Sequence, residues 1–395
     1  MPLQFYCKGI FFIGTFAVMA GIYIHIPFCK QACHYCDFHF STSMKKKGEM
    51  VLALAREVFL RKEELGGETI ETIYFGGGTP SVLSNDEIKL LIDSVYLNYD
   101  VADNPEITLE ANPDDLSPER IRQLSQTKIN RLSIGVQSFF EEDLRLMNRA
   151  HNVLQAEACL TEAVQYFDNI TIDLIYGVPG MSNDKWLQNV EKALSFGIPH
   201  ISSYALTVEP KTALHTFVQK GIVPAPSEEA ARQHFRLLTE RLAQEGFIHY
   251  EFSNFGKSGY FSENNTAYWL GKKYIGIGPS AHSYDGISRS WNIANNSLYL
   301  KALQTGNLLS EKEVLTLADR YNEYVMTGLR TMWGVSLKRI ENEFGTEYLT
   351  HLQKESQKFL ENGTLSIDDD VLKATAKGKF LTDGIASDLF FLNLE

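Results

Sequence analysis

Cysteine is scarce in this chain, five residues in 395, and three of them, Cys29, Cys33 and Cys36, fall within one stretch of eight. A disulfide framework needs paired cysteines, and a cluster of three leaves one thiol over. Long apolar runs are also missing. The stretch 10–20 (I-F-F-I-G-T-F-A-V-M-A) follows a lone Lys8 and ends in small residues, the shape of a weak signal peptide, yet it is too short to span a bilayer. Positive charge is in deficit, with 37 Lys and Arg against 49 Asp and Glu, a net charge of −12. A non-specific nucleic-acid binder needs a basic footprint, so nucleic acid is excluded as a partner. No low-complexity tract or repeat of fixed period is found, which excludes solenoids and arrays.

What is present is ordinary for a soluble globular protein, 44% hydrophobic and 22% charged residues. The length suits one large α/β domain and a smaller one. Residues 22–26 form a short β-branched run ending at Pro27, a strand feeding a loop. Further strands are expected at 70–75, 106–110, 131–136, 170–176 and 201–206. Between them the apolar spacing predicts helices at 45–65, 84–96 (opened by the capping box Ser84-x-x-Glu87), 118–125, 141–148, 154–167 and 186–196. Strands alternating with helices imply parallel βαβ units. A helix at 228–244 and a strand-like 249–255 follow. Then come a Gly-rich 274–283 (Y-I-G-I-G-P-S-A-H-S), a strand at 289–293, and a mostly helical segment from 315 with a hairpin near 365–372. Residues 311–395 carry 15 acidic and 10 basic residues, so a winged-helix-like module there is expected to pack on the larger domain rather than bind DNA.

Cys29, Cys33 and Cys36 make a C-x3-C-x2-C array directly after the first strand. Thiolates at such short loop spacings wrap one iron–sulfur cube, and three ligands leave one iron open. A structural zinc site using His34 or His39 is the alternative, although such sites usually draw ligands from two separated pairs. Free thiolates fit a reducing compartment, so a cytoplasmic protein is expected. With Met19 a natural start, residues 1–18 read as an over-extended gene start or a disordered leader.

The stretch H-I-P-F-C followed by this spacing resembles the radical S-adenosylmethionine (SAM) enzymes, and within them the coproporphyrinogen dehydrogenase group. The resemblance implies a [4Fe-4S] cluster that chelates SAM and cleaves it to a 5′-deoxyadenosyl radical. It also implies a partial, six-stranded βα barrel with functional residues at the C-terminal strand ends. The expected divisions are residues 1–18 as leader, 19–246 as barrel, 247–310 as a connecting region, and 311–395 as a mixed, mainly helical C-terminal domain. By resemblance Gly77, Gly78 and Thr79 of Gly76-Gly77-Gly78-Thr79-Pro80 contact the amino group and sulfonium region of SAM. Glu110, Gln137, Arg149 and Asp173 bind the same cofactor, and Tyr23, Tyr35 and Ala205 complete the matches.

The decarboxylating oxidases of this group carry a further Cys two residues after the third ligand, where this chain has Phe38. The chain therefore resembles the haem-chaperone branch, which implies haem or porphyrin binding, haem-acceptor proteins as partners (membrane-bound respiratory enzymes among them), and a monomer or homodimer; an oxygen-independent coproporphyrinogen III oxidase, or a radical SAM enzyme with another substrate, is the alternative. That branch usually carries H-N-x-x-Y-W at its haem site; the matching stretch here is Asn264-Asn265-Thr266-Ala267-Tyr268-Trp269. Asparagine is not a usual haem iron ligand. The expectation is therefore that haem binds between Asn264 and His282, with His282, His249 or another group as axial ligand, and more weakly than in relatives with the full motif. Tyr268, Trp269, Tyr274 and Tyr284 would supply the walls.

Overall fold

The computed structural model describes residues 19–392; the leader expected at 1–18 lies outside the described residues. Six strands, β1 (Met19–Ile26), β2 (Thr69–Gly77), β3 (Val101–Ala111), β4 (Arg131–Gln137), β5 (Asn169–Tyr176) and β6 (His200–Ala205), run parallel and pair in sequence order. This is the expected partial barrel. It does not end at six strands. β7 (Ile248–Glu251) and β8 (Asn254–Gly256) form a hairpin whose β8 pairs antiparallel with β6. At the opposite edge β9 (Lys273–Ile277) runs parallel to β1. Beyond it lie the antiparallel β10 (His282–Tyr284), β11 (Ser288–Asn292) and β12 (Ser310–Val314), giving a twelve-strand sheet. The Gly-rich 274–283 is thus two strands joined by a tight turn.

Helices on the outer face bury the sheet's apolar side. Ile22 and Ile24 of β1 are fully buried and belong to the same core as Met50, Leu54 and Val58 of the helix Lys47–Leu60. The helix Asn85–Asn98 starts where the capping box predicts: Ser84 accepts from the Glu87 N–H, and Glu87 accepts in return from the Ser84 N–H. One outer-face contact is ionic. The fully buried Glu57 accepts hydrogen bonds from Arg61 (3.2 Å), the Tyr299 hydroxyl (2.5 Å), Asn292 (2.7 Å) and the Gly278 N–H (2.8 Å). Arg61 also donates to the Gly276 carbonyl and the Ser283 hydroxyl. One carboxylate therefore ties the first helix to the β9–β11 extension.

A second core begins at Ala318, on the helix Leu317–Leu329, and collects the helices Leu337–Phe344, Thr346–Glu361 and Thr382–Asp388. A three-stranded sheet joins it, β13 (Val335–Ser336), β14 (Leu365–Asp368) and β15 (Val371–Ala374), with β15 in the middle. Its contacts with the barrel include the Met332 N–H on the Tyr250 carbonyl, and Lys379 on His249. Among the described residues no helix is long and apolar enough to cross a membrane.

Candidate functional site

Because side chains alternate across a strand, every second residue of β1–β6 points inward. The C-terminal strand ends and the cysteine loop enclose a cleft of 460 Å³. Cys29, Cys33, Tyr35, Cys36, Gly77, Gly78, Thr79, Glu110, Gln137, Arg149, Asp173 and Ala205 all line it, so residues spread over 177 positions of sequence meet in one place. Tyr23 does not. It lies deeper, in a polar chamber of 230 Å³ that shares Glu110, Ser133, Asp173 and Tyr204 with the cleft.

Cys29, Cys33 and Cys36 are free thiols. Burial pushes the Cys29 and Cys36 thiols up to about 11, so they would not ionise at neutral pH without a metal or other positive partner. His34 and His39 are engaged elsewhere, on the Leu146 carbonyl (2.8 Å) and the Asn296 side chain (2.7 Å). The donor set is thus sulfur only, which suits iron–sulfur ligation better than a mixed zinc site. Arg149 closes the group, reaching Cys33 Sγ (3.4 Å), Asn112 (2.6 Å) and the Gly135 carbonyl (2.7 Å).

Gly77, Gly78 and Thr79 line the cleft as expected of cofactor contacts, with their N–H groups taken up by the protein itself. They do not hold their N–H groups open for a ligand: Gly78 N–H donates to the Ile26 carbonyl (2.9 Å) and Thr79 N–H to that of Phe28 (2.7 Å). Gly77 N–H reaches Glu110. They bring β2 against the cysteine loop. A Cβ at Gly78 would stand 2.6 Å from the Phe28 carbonyl oxygen, and Gly77 has φ +104° with the His25 ring 2.5 Å from its Cβ position. Gly78→Ala should therefore cost roughly 1–3 kcal/mol of stability by overpacking and lower iron retention. Urea unfolding and iron per chain after anaerobic reconstitution check both, and an unchanged iron content would show that the loop does not depend on this approach.

Glu110 accepts from the Tyr74 hydroxyl (2.8 Å), and Asp173 from Ser133 (3.2 Å). Burial pushes their carboxyls up to about 7 and about 6, the Asp173 charge adding to the rise at Glu110. Gln137 takes φ +69°, rare outside glycine, at the end of a β4 bulge. Strain stored at a strand end beside a cleft is a mark of functional sites. The sequence reading missed Tyr74, Asn112, Ser133 and Tyr204. Parity could have found the first and third, since Tyr74 alternates with Gly76, and Ser133 with Gly135 and Gln137.

The residues expected around haem are not brought into one slot. Asn264 is buried, accepts from the Thr72 hydroxyl (3.0 Å), and lines the inner chamber with Tyr268. Trp269 faces the C-terminal module, with the Arg330 guanidinium 5.7 Å from its ring. Tyr268, Tyr274 and Tyr284 do make one row, with centroid separations of 4.5 and 6.4 Å. His282 is the first residue of β10, not part of a loop, and is exposed. His249 has both ring nitrogens hydrogen-bonded, to Phe252 and Lys379, which takes it out of the running as a ligand.

Comparison with known proteins gives this arrangement a family. The radical SAM superfamily description matches residues 23–193, and the HemN C-terminal domain description matches residues 315–381. The heme chaperone HemW of Mycobacterium tuberculosis is 33% identical over 375 residues, covering 93% of this chain and 94% of that protein. HemW of Bacillus subtilis is 33% identical over 367 residues, covering 92% and 97%. The solved structure of Escherichia coli coproporphyrinogen III oxidase (HemN), a radical SAM enzyme, matches with a TM-score of 0.82 over 94% of this chain and 90% of that one. At 22% identity that likeness concerns the fold. The superfamily works with an iron–sulfur cube and SAM, and the sulfur donor set and strand-end cleft described above fit both; the chain belongs to the HemW haem-chaperone family of radical SAM proteins.

Proposed function

We propose that this chain is a haem chaperone: it carries a [4Fe-4S] cluster on Cys29, Cys33 and Cys36, holds SAM in the adjoining cleft, binds haem, and passes it to acceptor proteins. Relatives at 33% identity bear the name heme chaperone HemW. The observation that carries the reading within the site is Phe38. It lines the cleft and is 66% exposed, where a radical oxidase of this group has a cysteine. A phenyl ring offers no thiol for proton or hydrogen-atom exchange at the cleft mouth.

When bound, the cluster supplies an electron to SAM. The chain's own residues bind and orient. Arg149, buried beside Cys33, offsets negative charge on the thiolates. The Glu110 carboxyl and Asp173, held by Tyr74 and Ser133, present hydrogen-bond acceptors to the polar groups of SAM, while Gln137 and Ala205 complete the walls. The acceptor proteins we propose are membrane-bound respiratory enzymes, served from the cytoplasm by a monomer or homodimer. We propose that residues 19–246 form the cofactor-binding barrel and 247–310 its connecting region, and that the C-terminal domain, expected from 311, packs on them from the end of β12 onward.

Coproporphyrinogen III incubated anaerobically with reconstituted protein, SAM and dithionite is expected to yield no protoporphyrinogen IX, while ferric haem is bound. Turnover in that assay would make the chain an oxidase; 5′-deoxyadenosine formed without porphyrin product would be uncoupled cleavage and is compatible with the chaperone.

A further inference from the structure

Asn112 follows β3 directly, at a place where an asparagine ordinarily caps the turn that comes next. Among the described residues its side chain caps no N–H of the short 3-10 helix Pro113–Asp115. Its main chain is pinned by a hydrogen bond from its own N–H to the Ser81 hydroxyl (3.2 Å), and its side chain lines the cleft. An amide has two ends with opposite needs, a nitrogen that donates and an oxygen that accepts. Here the nitrogen donates to the Thr79 hydroxyl (3.4 Å), which leaves the oxygen for Arg149, whose Nη2 lies 2.6 Å away.

Arg149 needs such a hold. The main chain that carries it is tied to the cysteine loop, the His34 N–H donating to the Met147 carbonyl (3.1 Å) and the Asn148 amide to the Ala32 carbonyl (2.7 Å). Those bonds fix where the side chain starts, not where its charge ends. A guanidinium is a rigid planar fork, so fixing one corner aims the others. The Nη2 corner sits between two oxygens, Asn112 Oδ1 just past β3 and the Gly135 carbonyl in β4 (2.7 Å). A Cβ at 135 would stand 3.1 Å from that corner, so glycine keeps the approach open. The Nη1 corner then points at Cys33 Sγ (3.4 Å), with the Tyr35 hydroxyl at 3.5 Å. Thr79, at the other end of the amide, is itself hydrogen-bonded to the Cys29 thiol. One uncharged side chain thus stands behind donors to two of the three cluster sulfurs.

Hydrogen bonds and positive charge at the sulfurs favour the reduced, more negative form of an iron–sulfur cluster. We propose that Asn112 is a positioning residue for the cluster: it aims the Arg149 guanidinium at Cys33 and so raises the reduction potential, easing entry of the electron. This rests on the cluster assignment above and goes beyond it, because Asn112 acts through Arg149 rather than as a ligand. Residues that orient the neighbours of a metal site tune it in this way without touching the metal.

Redox titration of the cluster-loaded full chain without SAM, followed by the EPR signal of the reduced cluster, tests this. Asn112→Ala is expected to keep its iron, since all three cysteines remain, and to be about tenfold harder to reduce, a fall of about 59 mV for one electron. Arg149→Met should lower the potential at least as far. Adding Asn112→Ala to Arg149→Met should move it much less than in wild type, the signature of one residue acting through the other. Asn112→Leu, close to asparagine in shape, repeats the measurement with the packing kept. If the potential of the iron-replete variant stays at the wild-type value, or falls as far with Arg149→Met in place as without it, the positioning role is wrong while the cluster assignment stands. Loss of iron in both Asn112 variants would make the residue a support of the loop and equally overturn the role. If wild type itself takes up no cluster, the cluster assignment falls, and the positioning role with it.

Discussion

Cys33→Ala is expected to abolish the brown absorbance of the anaerobically reconstituted protein, while wild type takes up about four irons per chain, the content of one cube. Removing one of three protein ligands leaves two thiolates and a buried guanidinium, Arg149, whose sulfur partner is gone. Two thiolates do not hold a four-iron cube against the pull of solvent, so the loss should be near complete. Cys159→Ala is the control, since Cys159 is buried on the helix Val153–Ala163, outside the cleft, and should leave iron uptake intact. Wild-type protein that takes stoichiometric zinc and no iron would overturn the cluster assignment.

The second large effect is on stability. Glu57→Ala should destabilise the chain by about 3–5 kcal/mol, the usual cost of leaving one partner of a buried ion pair behind. It would strand the Tyr299 hydroxyl and the Gly278 N–H and take one of Arg61's two carboxylate partners, Glu64 (2.7 Å) being the other. Each buried donor left unmade adds to the cost. Replacing both Glu57 and Arg61 by methionine should recover part of the loss, because apolar side chains then fill the space of the buried pair and need no partners. Urea midpoints of the three proteins decide it. A Glu57→Ala midpoint equal to that of wild type would mean that the carboxylate is not needed to tie the helix to the sheet extension.

Long, strongly patterned elements were legible in the sequence because their own residues specify them. Ser84 and Glu87 announced a helix start and made it. The apolar β-branched run before Pro27 could bury its side chains only as a central strand, and Ile22 and Ile24 do so. The cleft was legible because its residues carry motifs, and motifs name strand ends. The sheet extension was not. β10 is three residues long, and β12, Ser-Glu-Lys-Glu-Val, has a single apolar residue at its end, so neither has an apolar period to read; partners far along the chain define both. The seven-residue helix Glu263–Trp269 hid for the same reason. Its register turns Asn264 inward onto Thr72, and no local pattern could separate it from His282. Tyr204 was missed because a single polar residue on a strand shows its direction only once its neighbours are placed.

The twelve-strand sheet has two ends, and they are closed in different ways. At one, Glu251 of β7 bridges to Thr331, so the C-terminal module covers the last hairpin. At the other, among the described residues, β12 pairs on one side only and every one of its residues is exposed. Such a border invites a second chain to add a strand. Here the border discourages it through charge. An antiparallel copy aligned over the whole of β12 would set Lys312 against Lys312 and Glu311 against Glu313, and like charges directly opposite are destabilising. Three adjacent ionised side chains thus stand guard against runaway polymerisation, on a border that the hydrophobic core of the barrel does nothing to protect.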